Sequence, residues 1–269
     1  MTVAAFKYRD RFRAVPLKKI DLSKIESGEK GGFDGKKDVA NRVDECRNQM
    51  RDLQIRLFAE HKRAVLVCLQ GMDSAGKDSV INHVFSAINL MGCEVTSFKT
   101  PSELERTHDF LWRHHKATPA RGMVGLHNRS HYEAVVIERV KKIIDSATGK
   151  KRFDAINDFE CMLSEEATTV VKFFLHISKD EQAARFKARL DDPMKRWKMT
   201  PADNEQRAHW DANMSAYADA ITHTSTALAP WYVVPSNHKW YRDLVVCEVM
   251  CETLESLKLP LPPQPGNAK

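Results

Sequence analysis
Ala64-Val-Leu-Val-Cys-Leu-Gln70 runs directly into Gly71-Met-Asp-Ser-Ala-Gly76-Lys77-Asp78, and a helical pattern over residues 79–90 follows. The seven-residue run is β-prone without alternation, the mark of a strand buried on both faces of a parallel sheet. The segment after it fits G-x-x-x-x-G-K, with strand, glycines, lysine and helix in register. Glycines let the backbone wrap with its N–H groups pointing inward, the helix start adds a positive dipole end, and Lys77 brings a mobile ammonium. A cation at that end of a helix is unfavourable unless an anion sits there, so Lys77 reads as a phosphate ligand. Two acids alter the usual form. Asp78 stands where Ser or Thr would hold magnesium, and Asp73 lies inside the loop, where its charge repels bare phosphate. A carboxylate there makes sense with a metal ion between it and the phosphates. The bland alternative for Asp73 is a turn former.

Outward from this loop the chain alternates. Strand patterns over 94–99, 123–127, 170–177 and 231–234 are separated by helical ones, which predicts right-handed crossovers and an α/β sandwich. Upstream, Val39, Val43, Cys46, Met50, Leu53 and Leu57 form one stripe of a long amphipathic helix. Ser102/Glu105, Ser130/Glu133, Ser178/Glu181 and Thr200/Asp203 read as capping boxes, the last with Pro201 at the first helical position. Residues 179–210 crowd basic side chains onto a helix–turn–helix broken at Asp191-Asp192-Pro193, a basic flap. The expected organisation is an N-terminal arm (1–37), one domain (38–258) with a lid at about 179–210, and a Pro-rich tail (259–269).

Composition bounds the answer further. The 269 residues are 42% hydrophobic and 29% charged, enough apolar material for a sizeable core, which excludes a disordered tail or a disulfide-stapled peptide. The longest apolar run, 64–69, is far short of the ~20 residues that span a bilayer. No apolar signal region opens the chain, so a cytoplasmic location is expected. Six scattered cysteines without a Cys-x-x-Cys pair indicate neither a zinc site nor a disulfide frame. The net charge of +6 favours an anionic ligand without naming it.

Five ordered motifs carry a specific resemblance: Gly71–Asp78, Thr96-Ser-Phe-Lys99-Thr-Pro101, Asp109-Phe-Leu-Trp-Arg-His114, Asn128-Arg-Ser-His-Tyr-Glu133 and Asp192-Pro-x-Lys-Arg-Trp-Lys198. Together, over roughly residues 40–257, they resemble the polyphosphate kinase 2 family. The resemblance implies a thymidylate-kinase-like P-loop fold, a parallel sheet sandwiched by helices with a helical lid. It also implies magnesium-dependent phosphoryl transfer between inorganic polyphosphate and adenine nucleotides, guanine nucleotides being left open. Phosphate and nucleotide contacts then fall to Gly71, Met72, Ser74, Ala75, Gly76, Lys77, Asp78, Ser79, Lys99, Arg113, Lys116 and Arg129. Asp73, Asn128 and Glu133 are the expected metal set, and Asp73, Lys77, Arg129 and Glu133 the catalytic one. Ser79 stands where family members commonly carry Gly, and Asn128 where they often carry Asp. The Asn form resembles the branch that uses both nucleoside mono- and diphosphates, so AMP and ADP are both expected acceptors.

Several of these residues have ordinary readings. Ser130 with Glu133 is explained by a capping box alone. Phe110, Leu111 and Trp112 suit packing, and Arg113 and Lys116 suit a solvated basic face. The lid cations Arg185, Arg189, Lys195 and Arg196 are read as polyphosphate ligands because guanidiniums at i and i+4 suit successive phosphates. His114 and His115 suggest a phosphohistidine, but no acid stands ready to orient either, and direct in-line transfer is preferred. The rivals are an ATP-dependent nucleoside monophosphate kinase and, further off, a nucleotide switch or nucleic-acid-binding module; neither nucleic acid nor membrane is an expected partner. A homo-oligomer, dimer or tetramer, is expected.

Overall fold
The protein is described here by a computed structural model covering residues 7–199 and 201–262, with residues 201–204 as backbone alone. Five strands, β1 (Ala64–Gln70), β2 (Cys93–Ser97), β3 (Val124–Asn128), β4 (Thr168–His176) and β5 (Trp231–Pro235), make one sheet in the order β2-β3-β1-β4-β5. Every pairing is parallel. All seven residues of β1 are buried. Its odd members Val65, Val67 and Leu69 join the main core, whereas Leu66 and Cys68 meet Phe159, Leu163, Val170 and Ala229 on the opposite face. The two-residue period of a strand sorts them, and both faces are covered because parallel crossovers put helices on each side.

The helices are α1 (Tyr8–Phe12), α2 (Lys36–Glu60), α3 (Lys77–His83), α4 (Glu103–Arg106), α5 (Trp112–His115), α6 (Ile137–Val140), α7 (Ser146–Glu165), α8 (Lys179–Asp191), α9 (Pro201–Ala208), α10 (Trp210–Thr224) and α11 (Lys239–Ser256). Helices α2 and α11 lie together on one side of the sheet, and α7 and α10 together on the other. β1 is flanked by β3 and β4, so the chain leaves it toward one edge and later returns to fill the other. The crevice beyond the carboxyl end of such a central strand is where open α/β sheets bind ligands. The Gly71–Asp78 loop sits there.

Some boundaries differ from the sequence reading. The helix expected over 79–90 ends at His83 and continues as single 3-10 turns at Phe85–Ala87 and Leu90–Gly92. Phe85 and Ile88, three residues apart, both enter the core, a spacing that a three-residue turn aligns on one side. The Ser102/Glu105 box forms as expected, and Ser178 caps Glu181 N. The Ser130/Glu133 box does not form: Ser130 Oγ takes Tyr132 N instead. The Thr200/Asp203 box lies outside the described residues. Near the N-terminus, Arg13 bridges antiparallel to Tyr232 and Ala14 N donates to Trp231 O at 2.8 Å. This covers the free edge of β5, which would otherwise offer unpaired backbone groups.

Candidate active site at the carboxyl end of the central strand
The loop takes its shape from residues with positive φ. Gly71 (φ 149°) has no room for a Cβ against Leu175 O of β4, and at Gly76 (φ 109°) a Cβ would overlap the Arg242 guanidinium. Ser74, at φ 65°, holds a conformation that costs a non-glycine residue energy and that marks functional loops. Lys77 opens α3 and is buried, its ammonium curled back to donate to Gly71 O at 2.7 Å and Met72 O at 3.3 Å. Burial, then the Arg129 charge, holds its pKa below the usual lysine range. A phosphate in the loop would replace those carbonyl contacts with charge-assisted ones.

Three further side chains converge from the β3 end. Register places Asn128 beside Leu69, and Arg129, at φ 63°, anchors its backbone by donating to Leu69 O. Its guanidinium meets Asp73 at 2.8 Å. Asn128 Nδ2 donates to Asp78 Oδ1 at 2.8 Å, and Lys198 Nζ reaches Asp78 Oδ2 at 3.1 Å. Burial raises the Asp78 carboxyl, but the Asn128 and Lys198 hydrogen bonds and the lysine charges outweigh it and hold the group acidic. Glu133 is not used as a cap and stands among Arg129, Lys77 and Asp73; burial pushes its carboxyl up against the pull of the two cations. The structure thus brings Asp73, Lys77, Asp78, Asn128, Arg129 and Glu133 to one place, an alternation of acids and cations suited to a metal-bound phosphate.

Helix α8 is locked onto the outside of this loop. Gln182 Nε2 donates to Asp73 O at 2.9 Å, and Arg189 Nη2 to Ser74 Oγ at 2.7 Å. Arg185 donates to Ser74 O and Ala75 O, both at 2.9 Å, to Ser236 O and Asn237 O, and to Glu181. The sequence reading made Arg185 a polyphosphate ligand, but here its guanidinium is occupied as a clamp between loop, α8 and the segment after β5. Lys195 and Arg196 are exposed beyond the end of α8, Lys195 paired with Asp192.

Arg113 lies apart from the loop: it pairs with Glu105 at 3.0 Å, donates to Lys99 O and lies over the Phe98 ring. Lys116 rests over Trp112, and Lys99 is exposed. His114 is buried against Phe98, His127 and His131, and burial drives its pKa far down, an enclosure unsuited to meeting a phosphoryl donor. Two residues at the site escaped sequence reasoning. Tyr217 OH donates to Gln70 and Gly71 O, and the fully buried Arg242 presses on Gly76 while donating to Ser79 Oγ at 3.0 Å. Both come from helices distant in the chain, Tyr217 from α10 and Arg242 from α11.

The sequence profile described as Polyphosphate kinase 2 matches residues 34–261. The chain belongs to the polyphosphate kinase 2 family. A crystal structure of a polyphosphate kinase 2 from Arthrobacter aurescens superimposes with a TM-score of 0.93 at 41% identity, covering 98% of this chain and 94% of that one. An AMP/ADP-polyphosphate phosphotransferase of Meiothermus ruber is 44% identical, with 96% of this chain and 97% of that protein covered. An ADP-polyphosphate phosphotransferase of Rhodopseudomonas palustris is 43% identical over 94% and 91% of the two chains. The P-loop kinase-like parallel sheet implied by the resemblance of the five motifs is therefore the observed fold. Among the described residues of this family member, no helix is long and apolar enough to cross a membrane.

Proposed function
We propose that the chain moves phosphoryl groups between inorganic polyphosphate and adenine nucleotides, accepting on both AMP and ADP. The observation that carries this is the loop site itself, where Lys77 and Arg129 interleave with Asp73, Asp78 and Glu133 in a chain whose full-length relatives bear polyphosphate phosphotransferase names. The terminal phosphoryl rests on the loop N–H groups and Lys77. An acceptor phosphate oxygen attacks that phosphorus, the bridging P–O bond breaks, and the polyphosphate shortened by one unit departs. Such a loose transition state asks the protein for position and charge more than for covalent chemistry. Arg129, fixed by Asp73 and by its backbone bond to Leu69, supplies charge beside Lys77.

The carboxylates Asp73 and Glu133, with Asn128 Oδ1, whose amide partner already donates to Asp78, are an oxygen donor set that fits magnesium. Bound there, the ion would neutralise phosphate charge. Residues about 179–210 act as the lid: Arg189 and Lys198 already reach the loop, and Lys195 and Arg196 extend the positive surface along which a polyphosphate chain runs. Closure excludes water, the competing acceptor. An ATP-dependent monophosphate kinase is the less favoured reading, since the relatives matched over more than nine-tenths of their length are named for polyphosphate. The test is to give the pure protein magnesium with AMP or ADP and either polyphosphate or ATP as donor, and to separate the nucleotides. ADP and ATP should form from polyphosphate; faster phosphorylation of AMP by ATP would overturn the proposal.

A further inference from the structure
The six cysteines look scattered in sequence, yet the fold gathers half of them. Cys46 on α2 meets Cys247 and Cys251 on α11, and the three sulfurs all lie within 4.8 Å of one another. Cys247 and Cys251 are four residues apart, so both face α2 from one side of α11. All three are free and buried, and Cys46 Sγ is 3.1 Å from Cys251 Sγ. A metal about 2.3 Å from each of three sulfurs needs them about 4 Å apart, so the Cys46–Cys251 pair must open by roughly 1 Å to receive one.

From this geometry we propose that the α2–α11 seam is a three-sulfur site for a soft monovalent metal ion, Cu(I). Among the described residues the cluster offers three thiols and no fourth donor of the histidine, cysteine or carboxylate kind. The nearest carboxylates have other partners: Glu248 is held by Arg42, Glu252 by the backbone N–H groups of Tyr8 and Arg9, and Glu255 by Gln49. Structural zinc takes four ligands, one more than this trio supplies. Cu(I) is selected by soft thiolates and accepts low coordination numbers. Three S–H bonds give way to three Cu–S bonds; three protons leave to solvent against the one charge that copper brings, so binding should tighten as pH rises. Occupancy ties α2 to α11, the helix whose Arg242 supports Gly76 of the loop and Ser79 of α3.

The test is an anaerobic titration of the reduced full-length protein with Cu(I) against the chromophoric chelator bicinchoninate. The wild type should withdraw one copper per chain and melt several degrees higher with it. X-ray absorption should count three sulfur neighbours. Cys251→Ala and Cys247→Ala should each weaken binding by at least about 100-fold, whereas Cys161→Ser, on α7, should not. Failure of the wild type to compete for copper, a shell of two or fewer sulfurs, or tight Zn(II) binding in place of Cu(I) would each overturn the site. The absorption measurement on the wild type decides the matter even if a variant does not fold.

Discussion
Lys77 curls onto Gly71 O and Met72 O, so on the proposed function its substitution removes a phosphate ligand and little else from the fold. Lys77→Ala should lower kcat/KM for polyphosphate by at least about 100-fold, as loss of one strong transition-state donor does, with an unchanged circular dichroism spectrum. Near wild-type turnover in the folded variant would remove Lys77 from the chemistry. Glu133 is the neighbouring group whose proton matters. Burial raises its pKa, so its acid form persists to higher pH than an ordinary glutamate's, and only the carboxylate binds metal. As pH falls through the raised value, the magnesium needed for half-maximal rate should climb. Glu133→Gln should need more magnesium at every pH and lose that dependence; parallel titrations for both proteins would exclude Glu133 as a ligand. Asn128 donates to Asp78 at 2.8 Å, a contact that an aspartate would turn into two facing carboxylates. Asn128→Asp should therefore shift the ratio of AMP to ADP phosphorylation more than it shifts base preference, which rates with matched adenine and guanine acceptors would show. Arg242 and Tyr217 were invisible at this scale because their roles depend on what lies across the fold, not on their neighbours in the chain.

At the scale of elements, β4 carries a feature that its apolar pattern conceals. Lys172 is fully buried and donates to Glu160 of α7, Tyr132 and Thr224 O, and Glu160 also receives His131 and Tyr132. This network pins α7 and the 3-10 turn His131–Ala134, which carries Glu133, to the sheet. Lys172→Met should cost about 3–5 kcal/mol in chemical denaturation, because it takes the lysine charge from a buried Glu160 that keeps only its His131 and Tyr132 hydrogen bonds. A loss under 1 kcal/mol would mean that the pair contributes almost nothing net. Helix α3 shows the limit of periodicity: the pattern over 79–90 was read as one helix, yet the chain tightens after His83 so that Phe85 and Ile88 both reach the core. The Ser130-x-x-Glu133 spacing suggested a capping box for a similar reason. Spacing names which atoms are near, while burial decides which bond forms, and here Gln70 and Tyr132 take the hydroxyl.

Across the whole molecule, the basic side chains at the end of α8 and just after it concentrate part of a modest +6 beside the loop. Lys198 touches the loop while Lys195 and Arg196 stay exposed, so on the proposed function each added phosphate of a chain has another cation to meet. The rate should fall with salt more steeply for long polyphosphate than for nucleotide, as binding to a polyanion does when counterions are released. Equal slopes would count against this surface as the path of the chain. The strand Ala64–Gln70, the glycines, Lys77 and the alternation of strands and helices were legible from sequence because each depends on local geometry: the two-residue period, the φ that glycine permits and the dipole at a helix start. The parallel α/β fold and the glycine loop at its centre follow from those local terms. Other features needed the tertiary structure: Arg185 serves as a clamp, Glu133 stays out of its cap, Arg242 fills the place of a side chain at Gly76, and Cys46, Cys247 and Cys251 meet. These depend on which residues far apart in the chain are pressed together away from water, and that is settled by the packing of one helix on another.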